Sequence, residues 1–226
     1  MTVAEDHEAG GRRDRILDAA AIVISRRGAD AARLADIAEE AGISLSLVQY
    51  YFRHRERLFE AVFRREAARI DQTWRAAVSP DAPPLDRLVE YLRLCTPAGS
   101  SDAALAFGPG WAFWVEFWSK AHRDPQVRDE VGAVYAGFTE LFSSAIEAGV
   151  ASAEFTPVDA IEDIVDRLVS QIDGSAVRTL LGSLDGGRML TLLVNSLARE
   201  LGLSEAQTEY AHARARRRRR APARVR

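Results

Sequence analysis

Residues 33–58 read RLADIAEEAGISLSLVQYYFRHRERL, and their spacing decides the fold of the first part of the chain. Two short helical patterns meet at Gly42. A helix-turn-helix needs a small residue where its first helix meets the second, four positions before a turn residue able to take positive φ, and Ala38 and Gly42 stand there. Six residues past the glycine, Val48 is placed to plug the angle between the helices, with Ile37 and Ile43 adding apolar contacts. Ser44 offers a hydroxyl to cap the second helix, expected from Leu45 to Phe52. Such a helix turns Leu45, Ser46, Gln49 and Tyr50 outward.

An ordinary helical hairpin shares the Ala-x3-Gly spacing. The end of this stretch sets it apart: Tyr50-Tyr51 precede Phe52, and Arg53, Arg55 and Arg57 follow at once. Most protein–DNA hydrogen bonds go to phosphates and fix register, while a few contacts read bases. Phenols and guanidiniums gathered at one helix end therefore point to double-stranded operator DNA as partner. Ser44, Leu45, Ser46, Gln49 and Tyr50 are the candidates for base or nearby phosphate contact, with Tyr51, Arg33 and Arg55 on the backbone.

From Arg12 to Phe63 the chain resembles the N-terminal domain of the TetR (tetracycline repressor) family of bacterial transcription factors. The likeness rests on RRDRILDAAAIVISRRG, then DIAEEAGIS, then YYF followed by a basic residue, Glu56 and Leu58. Members commonly read threonine-threonine where Ala32-Arg33 stand, glycine or a small residue at Ser46, leucine-tyrosine at Val48-Gln49, and lysine at Arg55. Losing the threonines removes a cap and a phosphate-seeking hydroxyl, which Arg33 replaces in part. Gln49 matters most, because an amide pairs bidentately with adenine and a phenol does not. The resemblance implies an all-α chain: a three-helix DNA-binding domain with a helix-turn-helix, then a larger helical ligand-binding and dimerisation domain. A dimeric repressor that a small-molecule effector releases from its operator by shifting the helix at 55–78 is the expected function, with two chains needed because one reading helix contacts too few base pairs. The lone Cys95 fits a reducing cytosol.

Charge is unevenly spread. Residues 12–65 hold eleven Arg against eight acids, residues 66–213 hold eleven Lys+Arg against twenty-two acids, and residues 214–226 hold eight Arg and no acid, so a formal net charge of −3 hides a basic head. A basic head suits counterion release from DNA. The Arg216–Arg220 run reads as a solvated tail, with nonspecific phosphate binding as the other reading. Cys95 is the one cysteine, so it has no disulfide partner and reads as a small buried hydrophobe. No apolar run reaches the ~18 residues of a membrane span, and no membrane partner is expected. His7, His54, His122 and His212 are scattered without ligand spacing, and no Gly-rich phosphate loop or nucleophile elbow is present. No metal, cofactor or enzyme activity is expected; an all-helical enzyme and a ligand-independent DNA binder are the competing classes.

Helical periodicity continues to the end. Residues 1–11 read as disordered, 12–54 as the DNA-binding domain, 55–203 as the effector and dimerisation domain, and 204–226 as a final helix with its Arg-rich tail. Helices are expected at 55–78, 85–96, 110–122, 125–150, 158–182, 186–202 and 204–220, with Pro125 and Pro157 as starts and Ser204 with Gln207 as a capping box. Trp111, Phe113, Trp114, Phe117 and Trp118 crowd one segment, and five rings in eight positions cannot share one helical face. WVEFWSKAHRDPQVR and QIDGSAVRTLLG also resemble the effector domain of the BetI-like branch of the family, named for regulators of choline-to-betaine metabolism, with Ser175 in place of its usual leucine. A pocket lined by Leu88, Tyr91, Trp114, Trp118, Tyr135, Phe138, Gln171 and Asp173 would favour a cationic or lipophilic effector through ring faces and a carboxylate, Glu116 or Asp173. Dimerisation is expected through Ile161, Ile164, Leu168, Ile172, Leu192, Leu193 and Leu197, whose alternative role is to close the core of one chain.

Overall fold

The computed structural model describes residues 3–97 and 110–216, and every described element is helical. In chain order these are α1 (Val3–Arg27), α2 (Leu34–Ala41), α3 (Leu45–Tyr51), α4 (Arg55–Ala77), α5 (Pro84–Leu94), α6 (Trp111–Arg123), α7 (Pro125–Ala151), α8 (Ile161–Leu180), α9 (Gly186–Glu200) and α10 (Glu205–Arg216). Residues 3–11, expected to be disordered, instead form the first turns of α1. Ala4, Glu5, Glu8 and Ala9 are good helix formers with no proline among them, and acidic residues suit a helix start. The Arg217–Arg220 part of the tail and the segment preceding Gly110 lie outside the described residues.

Two compact units divide the chain: Met1–Arg69 with Pro109–Gly132, and Ile70–Gly108 with Ala133–Arg226. The division passes through α4 and α7 rather than at Arg55. In the first unit Ile16, Leu17, Ala20, Ile24, Ile37, Val48, Leu58 and Val62 form the core of the head. The helix α6 belongs to that unit: Phe63 of α4 stacks on Phe117 with ring centres 4.3 Å apart and meets Trp114 edge-on at 5.5 Å. Glu66, buried on α4, accepts hydrogen bonds from Arg65 and Arg69 at 2.9 Å, and Arg65 also donates to the Asp14 carbonyl of α1.

The turn between α6 and α7 is tied on both sides. Asp124 Oδ1 accepts from the Gln126 and Val127 amides, capping α7 behind Pro125, while Arg128 donates to the carbonyls of Ala121 and His122 at the end of α6.

In the second unit Trp74 is enclosed by Tyr91, Phe138 and Phe142, at ring-centre distances of 5.9, 4.7 and 6.5 Å. The helix α5 is buried along its length from Leu85. Pro157 does not open a helix. Thr156 and Val158 donate their amides to the carbonyls of Leu201 and Glu200, which holds this stretch against the end of α9 and delays α8 to Ile161. Ser204 and Gln207 form the expected capping box, with Ser204 N to Gln207 Oε1 at 2.9 Å and Gln207 N to Ser204 Oγ at 3.3 Å.

Candidate DNA-binding surface

Gly42 follows α2 at φ 63° and ψ 39°, and the amide of Ile43 donates to the Ala38 carbonyl at 3.0 Å. A residue with a Cβ resists that backbone, so the glycine sets where the chain turns. Ser44 then caps α3: its hydroxyl accepts from the Leu47 amide at 3.2 Å and lies 3.0 Å from the Ser46 hydroxyl. Val48, Ile37 and Ala38 are sealed between the helices. With one face of α3 fixed, the other is free: Ser44, Ser46 and Gln49 are exposed, Leu45 is 40% exposed and Tyr50 is 78% exposed. Tyr51 is half-buried and meets the Tyr50 ring edge-on at 5.5 Å. Phe52 turns into the core beneath the Arg13 guanidinium.

The arginines split into two groups. Arg33, at the N-cap of α2, has no side-chain acceptor, and Asp36 supplies the cap by accepting its amide at 3.1 Å; the guanidinium of Arg33 stays exposed. Arg53 and Arg57 are also exposed, Arg57 with only a 3.7 Å ion pair to Glu60. Arg55, expected on phosphate, points inward. Its Nε donates to the Ala32 carbonyl at 3.0 Å, a second nitrogen donates to the Ala29 carbonyl, and the guanidinium covers the Phe59 ring at 4.6 Å. Two further contacts have no signal in the sequence. Arg15 donates to the Ala41 carbonyl at the end of α2 at 2.7 Å, and Glu116 of α6 accepts the Ala29 amide at 2.7 Å.

Two family models match the chain: bacterial regulatory proteins of the tetR family over residues 16–62, and the C-terminal domain of BetI-type transcriptional repressors over residues 84–202. The chain belongs to the TetR family, with a BetI-type C-terminal domain. It is a transcriptional regulator with an N-terminal helix-turn-helix. The HTH-type transcriptional regulator BetI of Rhizobium meliloti (strain 1021) is 31% identical over 173 residues, covering 76% of this chain and 79% of that protein. A transcriptional regulator from Saccharomonospora viridis, solved in complex with choline, has a TM-score of 0.73 at 25% identity over 84% of this chain and 96% of its own. FadR from Bacillus subtilis, solved with stearoyl-CoA, shares the fold at a TM-score of 0.61 and 16% identity, over 83% of this chain and 96% of its own.

Within this TetR-family chain the expected effector residues are divided between the two units. Trp114 and Trp118 belong to the first unit, Trp114 packed on Phe63 and Phe113 and Trp118 beside Trp111 at 6.1 Å; Gln171 is exposed on α8. Glu116, the other expected carboxylate, is engaged by Ala29. What remains in the second unit is coherent. The hydroxyl of Tyr135 donates to Asp173 Oδ2 at 2.6 Å, and Tyr135, Phe138 and Phe142 share one face of α7 opposite Tyr91 and Leu88 of α5. Burial pushes the Asp173 carboxyl above the usual carboxylate range, against the Tyr135 hydrogen bond, which favours the charged form. Burial and the Asp173 bond raise the Tyr135 phenol, and burial with the Asp173 charge raises the Cys95 thiol. Cys95 is buried, as its sequence context suggests.

The expected interface residues are mostly core. Ile164, Leu168, Ile172, Leu193 and Leu197 are buried within one chain, because α8 and α9 pack against each other through them; Ile161 and Leu192 are only half-covered. The exposed apolar residues of this region are Val177, Leu180 and Leu181, the last 75% exposed. Among the described residues no cluster of His, Cys, Asp and Glu could hold a metal, and no helix is long and apolar enough to cross a membrane.

Proposed function

We propose that this regulator is a cytoplasmic homodimeric repressor whose α3 helices enter successive major grooves, and that a small organic cation releases it. The outward face of α3 carries the DNA-reading half of the proposal. Gln49 and Tyr50 stand exposed on a helix rigidly capped by Ser44, flanked by the exposed guanidiniums of Arg33, Arg53 and Arg57. Gln49 reads a base edge, Ser44, Leu45, Ser46 and Tyr50 contact bases or adjacent phosphates, and Tyr51 abuts the backbone. Arg53 takes the phosphate role that sequence spacing gave to Arg55.

One such helix spans too few base pairs, so two chains act together across half-sites about 34–36 Å apart or a multiple of that. The exposed Val177, Leu180 and Leu181, extended by the half-covered Leu192, supply the apolar patch for pairing.

The effector half rests on Asp173. Among the described residues the partly desolvated Asp173 carboxylate is hydrogen-bonded by the neutral Tyr135 phenol and by no cation, and Tyr135 shares its helix face with Phe138 and Phe142. A quaternary ammonium or polyamine supplies the counter-charge, with each ring contact adding about 0.5–2 kcal/mol. The choline carried by the Saccharomonospora viridis relative fits this chemistry, whereas the stearoyl-CoA of FadR shows that the fold alone does not fix the ligand. Binding moves α4 and changes the separation of the two readers until both no longer fit their grooves.

A thermal-shift panel tests the reading. Choline and spermidine should raise the melting temperature and release operator DNA, while uncharged and anionic analogues of the same size do neither; stabilisation by the neutral or anionic compounds alone contradicts it.

A further inference from the structure

The loop between α1 and α2 has its backbone polar groups engaged from two directions. Gly28 takes φ +81°, its amide bonded to the Ile24 carbonyl and its own carbonyl accepting the Ala32 amide at 3.2 Å. From α4, Arg55 holds the carbonyls of Ala29 and Ala32. From α6, Glu116 holds the Ala29 amide, and its carboxylate lies so close to Gly28 that a Cβ there would stand 3.2 Å from Oε1. An open pocket of about 330 Å³ lined by Ala29, Arg55, Phe59, Glu116 and Lys120 flanks these contacts. Directly after the loop, Arg33 forms the N-cap of α2, so the loop sets where the helix-turn-helix begins.

Helix α6 is in turn joined to α7 by the doubly tied corner at Asp124 and Arg128. The continuous helix α7 carries Tyr135 and Phe138 into the second unit.

We infer that Glu116 is the positioning residue through which α6 sets the reader, by anchoring the Ala29 amide, with Arg55 as its counterpart on α4. This rests on the effector reading above and gives it a second route besides the shift of α4. When α6 moves, the Glu116 carboxylate draws the loop and the start of α2 with it; without that carboxylate the loop is held from α4 alone.

The test uses the full-length chain, its operator and choline chloride as probe. The measured quantity is the factor by which saturating choline weakens operator binding. Glu116→Ala should cut that factor at least threefold and Glu116→Gln by less, while choline binding to the DNA-free protein stays close to the parent's and the melting temperature falls by only the few degrees that one lost hydrogen bond costs. A purely structural role for Glu116 would lower the melting temperature and leave the factor alone. An unchanged factor in folded Glu116→Ala overturns the inference, and should that variant not fold, an unchanged factor in Glu116→Leu, which is of similar size and has no acceptor, overturns it equally. Should choline leave the parent's operator binding unaltered, the cationic-effector reading fails, and the inference is judged without effector. Hydrogen exchange of the 28–33 segment should then be at least tenfold faster in Glu116→Ala and its operator affinity at least threefold weaker, and parent-like values for both overturn it.

Discussion

Arg53 and Arg55 lie two residues apart and should fail in opposite ways when truncated. Arg55→Ala removes two hydrogen bonds from a charged donor to the carbonyls of Ala29 and Ala32, the latter in a buried residue, and the contact with Phe59. Hydrogen bonds to charged groups contribute about 1.5–3 kcal/mol each when lost with their partners left behind, and water reaching this half-open site offsets part of that, leaving roughly 2–4 kcal/mol. At about 2–4 °C per kcal/mol for a chain of this size, the melting temperature should fall by roughly 5–15 °C. Its salt slope for operator binding, measured on protein kept below the transition, should stay at the parent value.

Arg53→Ala should do the reverse. Its guanidinium is exposed, so stability should change by no more than about 0.5 kcal/mol. Removing one phosphate contact per chain of a dimer should reduce the slope of log affinity against log salt by about 1.8. Calorimetry and fluorescence anisotropy over a salt series read both quantities. A reduced slope with an unchanged melting temperature in Arg55→Ala, or an unaltered slope in Arg53→Ala, refutes the assignment.

Three other variants probe the rest. Asp173→Asn should abolish stabilisation by choline. Because burial raises the folded-state pKa of Asp173, the stability it contributes is present at acid pH and lost as pH rises through that value; near neutral pH the ligand-free variant should therefore melt slightly above the parent, and in the parent choline binding should fade on acidification, as calorimetric titration at several pH values would show. Leu181→Arg should turn a dimer into monomers by sedimentation without loss of helicity, whereas Leu193→Ala, a core truncation, should cost about 2–5 kcal/mol of stability instead. Ser44→Ala removes the α3 cap and should weaken the head by about 1 kcal/mol, seen as faster hydrogen exchange in residues 44–52.

The head was legible because its determinants are local. Small residue, glycine, hydroxyl cap and plugging valine follow one another at fixed spacing, and the structure gives each the expected place. Helix boundaries at Asp124-Pro125 and Ser204-Gln207 were legible for the same reason, since caps lie within a turn of what they cap. The fate of Arg55 was not, because it depends on carbonyls 23 and 26 residues earlier whose need for donors arises only when the loop folds back. Nor does an apolar stripe say what covers it: Ile164, Leu168 and Ile172 mark one face of α8 as buried, but periodicity cannot tell a neighbouring helix of the same chain from a second copy. Asp173 and Glu116 read in sequence as alternative carboxylates for the effector, and only the placement of α7 and α8 leaves Asp173 beside Tyr135.

The proposed regulation rests on the outward face of α3 reading a duplex. Sequencing DNA fragments enriched by the purified parent and by Gln49→Ala tests that directly. The parent should select a two-fold symmetric site with half-sites one helical turn, or a multiple, apart, and the variant should lose preference at one symmetric pair of positions, worth about 1–3 kcal/mol per contact, while keeping the rest. Enrichment of no common sequence, or of the same sequence with equal preference by both proteins, would contradict it.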